Sequence, residues 1–212
     1  MKIIRPIQWI ADAPPDLLPG RIRLLDQTLL PTDVVHFETR DPEIVWNAIK
    51  TLQVRGAPAI GIAAAMGVAA AVQSVADDST HAVRSEVQRV ADYLATSRPT
   101  AVNLFWALER MRRCAAETQA PDAAALKRRL VEEAVAIRDE DAAMCRAIGR
   151  HGAPLLQEGD TVLTHCNAGG LATAEFGTAL APIYTAHEQG KTIGVFADET
   201  RPLLQGARLT AW

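Results

Sequence analysis

Residues 160–174 read Asp-Thr-Val-Leu-Thr-His-Cys-Asn-Ala-Gly-Gly-Leu-Ala-Thr-Ala. Residues 161–165 form a short β-branched run, the pattern of a buried strand. The run enters Cys166-Asn167-Ala168-Gly169-Gly170 directly, and a helical pattern follows over 171–188. A strand that opens through glycines into a helix gathers a thiol, free backbone N–H groups and a helix N-terminus. Parallel α/β proteins hold small anionic ligands in this way at the carboxyl ends of their strands. The stretch predicts an α/β fold and chemistry on a small phosphorylated or oxyanionic substrate.

Working outward, Gly190-Lys191 leads to a second strand over 192–197, a loop over 198–202 and a helical start at Leu203. This β-α-β-α order opens a doubly wound parallel sheet. Upstream, residues 7–39 are apolar runs broken by turn formers, with strands expected over 22–25 and 34–37. Helical periodicity then takes over. Pro42 opens a helix to about Leu52, and Pro58 sits at N1 of a second, to about Val75. A third covers 81–95. A fourth covers 100–117, capped by Thr100, and a fifth, capped by Asp122, ends near Gly149.

The expected architecture is a small β plus helical unit over 1–150, then a Rossmann-like parallel α/β unit over 151–212. A parallel sheet of two strands leaves open edges and bare apolar faces. The second unit is therefore expected to be truncated, the chain being a fragment or completed by a partner chain.

Of 212 residues, 49% are apolar, enough for a proper core. A net charge of −3 gives no electrostatic footprint for nucleic acid or an anionic membrane. No apolar segment marks the first residues as a secretory signal. Residues 57–72 are uncharged but short for a membrane span and rich in Ala and Gly, so they read as a buried central helix. Cys114, Cys145 and Cys166 share no C-x-x-C spacing, which suggests neither disulfides nor a zinc site and fits a reducing cytoplasm. Cys114 and Cys145 fall in helical patterns as inert small residues. Trp9, Trp46 and Trp106 read as core or interface anchors.

Four stretches could carry chemistry. Cys166 could donate a proton or act as nucleophile, or be an ordinary strand-end cysteine. Arg55, Gly56 and Ala57 stand before the Pro58 helix, where guanidinium and backbone could cradle an anion. An exposed Arg before a Pro-initiated helix is the plainer reading. Arg98 likewise precedes a helix start. Asp198, Glu199, Arg201 and Gln205 leave the second strand beside the place expected for Cys166.

RGAPAIG, SRPTAVNL, THCNAGGLAT and DETRPLLQGARLTAW, in this order, resemble the methylthioribose-1-phosphate isomerases of methionine salvage. The fold of that family also serves ribose-1,5-bisphosphate isomerase, 5-deoxyribose-1-phosphate isomerase and regulatory subunits of the translation-initiation nucleotide-exchange complex. The resemblance implies aldose–ketose isomerisation of 5-methylthioribose 1-phosphate with no metal or other cofactor, in a homodimer. It implies that Cys166 is the catalytic thiol, that Arg55, Gly56 and Ala57 bind the phosphate end, that Arg98 assists there, and that Gln205 contacts sugar hydroxyls. The family's catalytic aspartate and an Asn-Lys pair match nothing here, so an incomplete, inactive site is expected. A non-catalytic regulatory relative and an isomerase of another ribose phosphate remain open.

Overall fold

A computed structural model describes residues 4–76 and 78–212. At the N-terminus β1 (Ile7–Ala11), β2 (Gly20–Leu25) and β3 (His36–Thr39) form an antiparallel sheet in the order β1-β2-β3. In β2 the alternation is clean. Ile22 and Leu24 are buried, while Arg21 and Arg23 face outward toward Glu38. Sequence reading missed β1, and β3 begins two residues later than expected. The strand register ends with Leu25 opposite His36; beyond it Asp26 N–H donates to the Val35 carbonyl at 2.9 Å, and Val34 and Val35 are exposed.

Among the described residues five α-helices follow. α1 (Pro42–Lys50) starts where Asp41 accepts the Glu43 N–H at 2.8 Å, and α3 (Thr80–Ala95) where Ser79 accepts from Ala82. Such caps contribute about 1 kcal/mol each. α5 (Ala123–Gly152) is capped by Asp122 as expected and runs three residues past Gly149. α4 (Val102–Glu117) departs from expectation, because its N-cap is Ala101 rather than Thr100. The Ala101 N–H closes a turn on the Arg98 carbonyl at 3.0 Å, which leaves Thr100 outside the helix.

α2 (Ala57–Ala71) runs through the middle of this bundle, and every residue from Ala59 to Ala71 is buried. With its 3₁₀ extension it is long and apolar enough to cross a membrane, but its burial is that of a core helix. Small side chains let α1, α3, α4 and α5 pack closely around it. Trp46 stacks on Tyr93 at the edge of this core, whereas Trp106 is 48% exposed and anchors no core. Trp9 lies over Gly20 and donates to the Leu17 carbonyl.

β4 (Thr161–Thr164) and β5 (Gly194–Ala197) pair in parallel, connected through α6 (Ala181–Glu188). The parallel pairing is as expected. The helix over 171–188 is not. Gly170–Ala172 makes one 3₁₀ turn, the chain then runs irregularly, and α6 begins only at Ala181. Long-range contacts hold the intervening loop open. Asp141 accepts the Ala174 N–H at 2.7 Å, Glu175 is gripped by Arg5 and Arg146, and Thr178 N–H returns to the Ala168 carbonyl. Gly177, at φ +82°, lies so close to Gly169 that a Cβ would meet its Cα at 2.5 Å. The helical start expected at Leu203 comes later and is not α-helical. A turn leads to a π-helical turn over Gly206–Thr210.

Candidate active site

Cys166 follows β4 in a left-handed conformation, φ +64°. Three residues of the 200–210 segment hold it. Thr200 Oγ1 accepts the Cys166 N–H at 3.1 Å, Thr210 Oγ1 donates to the Cys166 carbonyl at 2.6 Å, and Gln205 Nε2 donates to Sγ at 3.3 Å. Strain of this kind at a non-glycine residue persists only where surrounding contacts impose it. The Gln205 and Asn167 side chains each leave one atom, Oε1 and Nδ2, buried with no partner. Buried polar atoms without partners are costly, so these two mark places where a polar ligand would fit.

Gly56 is the N-cap of α2, at φ +99°. A Cβ there would meet Ala172 Cα at 2.4 Å. The glycine's close neighbour is thus the loop after Cys166, which fixes the Arg55-Gly56-Ala57 turn against it. Ala57 is the first, exposed residue of α2, and its N–H has no partner within the helix.

Arg55 and Arg98 are both half-buried, and among the described residues neither makes an ion pair or a side-chain hydrogen bond. Arg55 lies close enough to Cys166, Arg208 and Arg98 for their charges to act on it. Burial pushes its guanidinium below the ordinary value. The Cys166 sulfur opposes that shift, and the charges of Arg208 and Arg98 add to it. An arginine stays charged through such a shift. The structure therefore gathers Cys166, Arg55, Gly56, Arg98 and Gln205, and adds Arg208, which sequence reading overlooked within GARLTAW.

Asp198 also reaches this edge, paired with His165 at 2.9 Å, and its carbonyl accepts from Thr200 Oγ1 at 3.1 Å. A cavity of ≈ 330 Å³ opens beside the thiol loop, with Asn167, Leu171, Tyr184 and Thr210 in its walls. Cys166 and the arginines are not among the residues that line it. Among the described residues no three His, Cys, Asp or Glu side chains group as metal ligands. What the site offers is uncompensated positive charge beside a thiol, suited to a phosphorylated ligand.

The class defined so far is a helix-rich mixed α/β protein with a half-exposed thiol near arginines that have no carboxylate partner. Residues 53–212 match the Initiation factor 2 subunit family, and the chain belongs to it. A 5-deoxyribose 1-phosphate isomerase of Moorella thermoacetica is 57% identical over 209 residues, 99% of this chain and 57% of that protein. A methylthioribose-1-phosphate isomerase of Geotalea daltonii is 55% identical, covering 91% of this chain and 56% of that one. Among solved structures, the 5-methylthioribose 1-phosphate isomerase of Pyrococcus horikoshii OT3 superposes with a TM-score of 0.88 at 38% identity, over 98% of this chain and 56% of that one. The translation initiation factor eIF-2B subunit delta of A. fulgidus does so at 0.87 and 42%, over 99% and 58%. The chain thus spans a little over half the length of these relatives.

Proposed function

We propose that this chain carries the phosphate-binding and thiol part of an aldose–ketose isomerase acting on a ribose 1-phosphate altered at C5. The relatives named above as isomerases of 5-methylthioribose 1-phosphate and 5-deoxyribose 1-phosphate share that chemistry. We favour the methylthio sugar as substrate. The observation that carries the reading is Arg55, half-buried and without a carboxylate partner, near enough to both Cys166 and Arg98 for their charges to act on it.

In this reading Arg55, Arg98 and the N–H of Ala57 hold the phosphate. Gln205 holds the sulfur and turns its free Oε1 to a sugar hydroxyl. Moving the carbonyl from C1 to C2 requires proton transfer at the sugar, and Cys166 is the group we assign to it. We also read β4, α6 and β5 as the opening of a Rossmann-like sheet, and the active protein as a homodimer. The exposed Leu163 and Phe196 on the two strands support a covering surface there.

The test is conversion of methylthioribose 1-phosphate and 5-deoxyribose 1-phosphate followed by NMR, with Cys166→Ser beside the parent chain. Ketose formation lost in the variant supports the reading. Sugar-phosphate binding without turnover favours the reading as a non-catalytic regulatory relative. Neither binding nor turnover ends the reading.

A further inference from the structure

Arg208 stands between two residues that touch Cys166, for Gln205 donates to its sulfur and Thr210 to its carbonyl. Its Nη2 donates to the carbonyl oxygens of Gln27, Thr28 and Leu30 at 3.2, 2.7 and 2.8 Å. Among the described residues it makes no ion pair. Arg5, Arg110, Arg129 and Arg146 are each held on a carboxylate instead. The difference matters chemically. A carboxylate orients a guanidinium and cancels its charge, whereas neutral carbonyls orient it and leave the charge whole.

The turn that supplies these carbonyls is itself braced. Leu25 and Leu30 pack with Leu171 and Leu209 in a separate buried cluster, and Gln27 Nε2 donates to the Leu171 carbonyl at 2.8 Å. Leu171 belongs to the loop after Cys166, and Leu209 is the residue next to Arg208. The turn, the thiol loop and the 205–210 segment therefore form one joint. It fixes a cation at the site before any ligand arrives, which lowers the ordering cost of binding.

We propose that Arg208 is a third anion-binding arginine, held by three neutral carbonyls so that its full charge meets the phosphoryl group alongside Arg55 and Arg98. This rests on the sugar-phosphate reading above and extends it to a residue outside the predicted set. A phosphomonoester carries close to two negative charges and three acceptor oxygens, which three guanidiniums match better than one.

The test uses inorganic phosphate to protect Cys166 from iodoacetamide, a neutral reagent that does not compete for the cation. Adducts are counted at the Cys166 peptide, and thermal melts accompany every variant. The expected result is that Arg208→Gln needs roughly tenfold to a hundredfold more phosphate for half-protection, one charge-assisted contact being lost. Arg208→Lys keeps the charge and falls between the two. Leu209→Ala, which loosens the joint without touching charge, is expected to change protection less than Arg208→Gln. Equal protection in parent and Arg208→Gln overturns the proposal, and so does a loss in Leu209→Ala matching that of Arg208→Gln, since packing then explains it. Absence of protection in the parent chain removes the anion-site reading, and this inference with it.

Discussion

Gln205 Nε2 donates to Cys166 Sγ across 3.3 Å, joining two residues 39 positions apart. The other end of the same amide, Oε1, is buried without a partner. One side chain therefore orients the thiol and presents an acceptor to whatever binds beside it. The hydrogen bond holds Sγ in one orientation, which a variant without the amide loses. Gln205→Ala is expected to slow alkylation of Cys166 at neutral pH by roughly threefold to tenfold, the worth of one hydrogen bond. An unchanged rate, read by mass spectrometry of the Cys166 peptide, would mean that the contact does not govern the sulfur.

Gly56 couples the phosphate-side turn to the thiol loop by touching Ala172. Gly56→Ala places a Cβ about an ångström inside contact with that backbone, at a φ of +99° where side chains are strained. The expected cost is about 2–4 kcal/mol from strain and overpacking together. Urea unfolding measures it. Ala172 belongs to the loop that carries Cys166, so phosphate protection of the thiol is expected to weaken as well. A variant with parental stability would show that the two turns do not depend on this contact.

Much of the helical frame was legible because its signals are local. Asp41 with Pro42, Asp122, and the uncharged run from residue 57 each act within one turn of chain, and each helix begins where they put it. The failures are long-range. The stretch after Gly170 is helical in composition, yet Asp141, Arg5 and Arg146 reach it from far along the chain and hold it extended. The same holds within the site. Cys166, Arg55, Arg98 and Gln205 could be found by motif, and the structure brings them together. Arg208 could not, since its significance lies in three carbonyls of a turn about 180 residues away.

Cysteine chemistry is expected to be selective. Burial first, then the Asp141 carboxylate, pushes the Cys145 thiol up to about 11, and burial also raises Cys114. Both side chains are buried, while Cys166 is half-exposed. Iodoacetamide at pH 8 is therefore expected to add once to the native chain, at Cys166, and three times after unfolding in urea. A native adduct on Cys145 of comparable yield would show that α5 opens far more readily than its packing implies.

Glu175 gives the protein an acid limb. Its side chain is 7% exposed and is shared by Arg5 at 3.0 Å and Arg146 at 2.5 Å, with Arg146 also resting over the Phe176 ring. Burial alone would raise its carboxyl, but the hydrogen bonds and charges of Arg146 and Arg5 outweigh burial and hold it below the usual range. Its folded value is lower than its unfolded value near 4.3, so the contribution is fully present above roughly pH 4.3. It is lost as pH falls through the lower folded value. Both arginines are partly exposed, so solvent reduces the effect, and Glu175→Gln is expected to cost about 1–2 kcal/mol at pH 7. The gap between variant and parent, measured by urea unfolding, is expected to narrow steadily between pH 5 and pH 2. A gap that stays constant over that range would show that Glu175 acts through its shape in the loop after Cys166 and not through its charge.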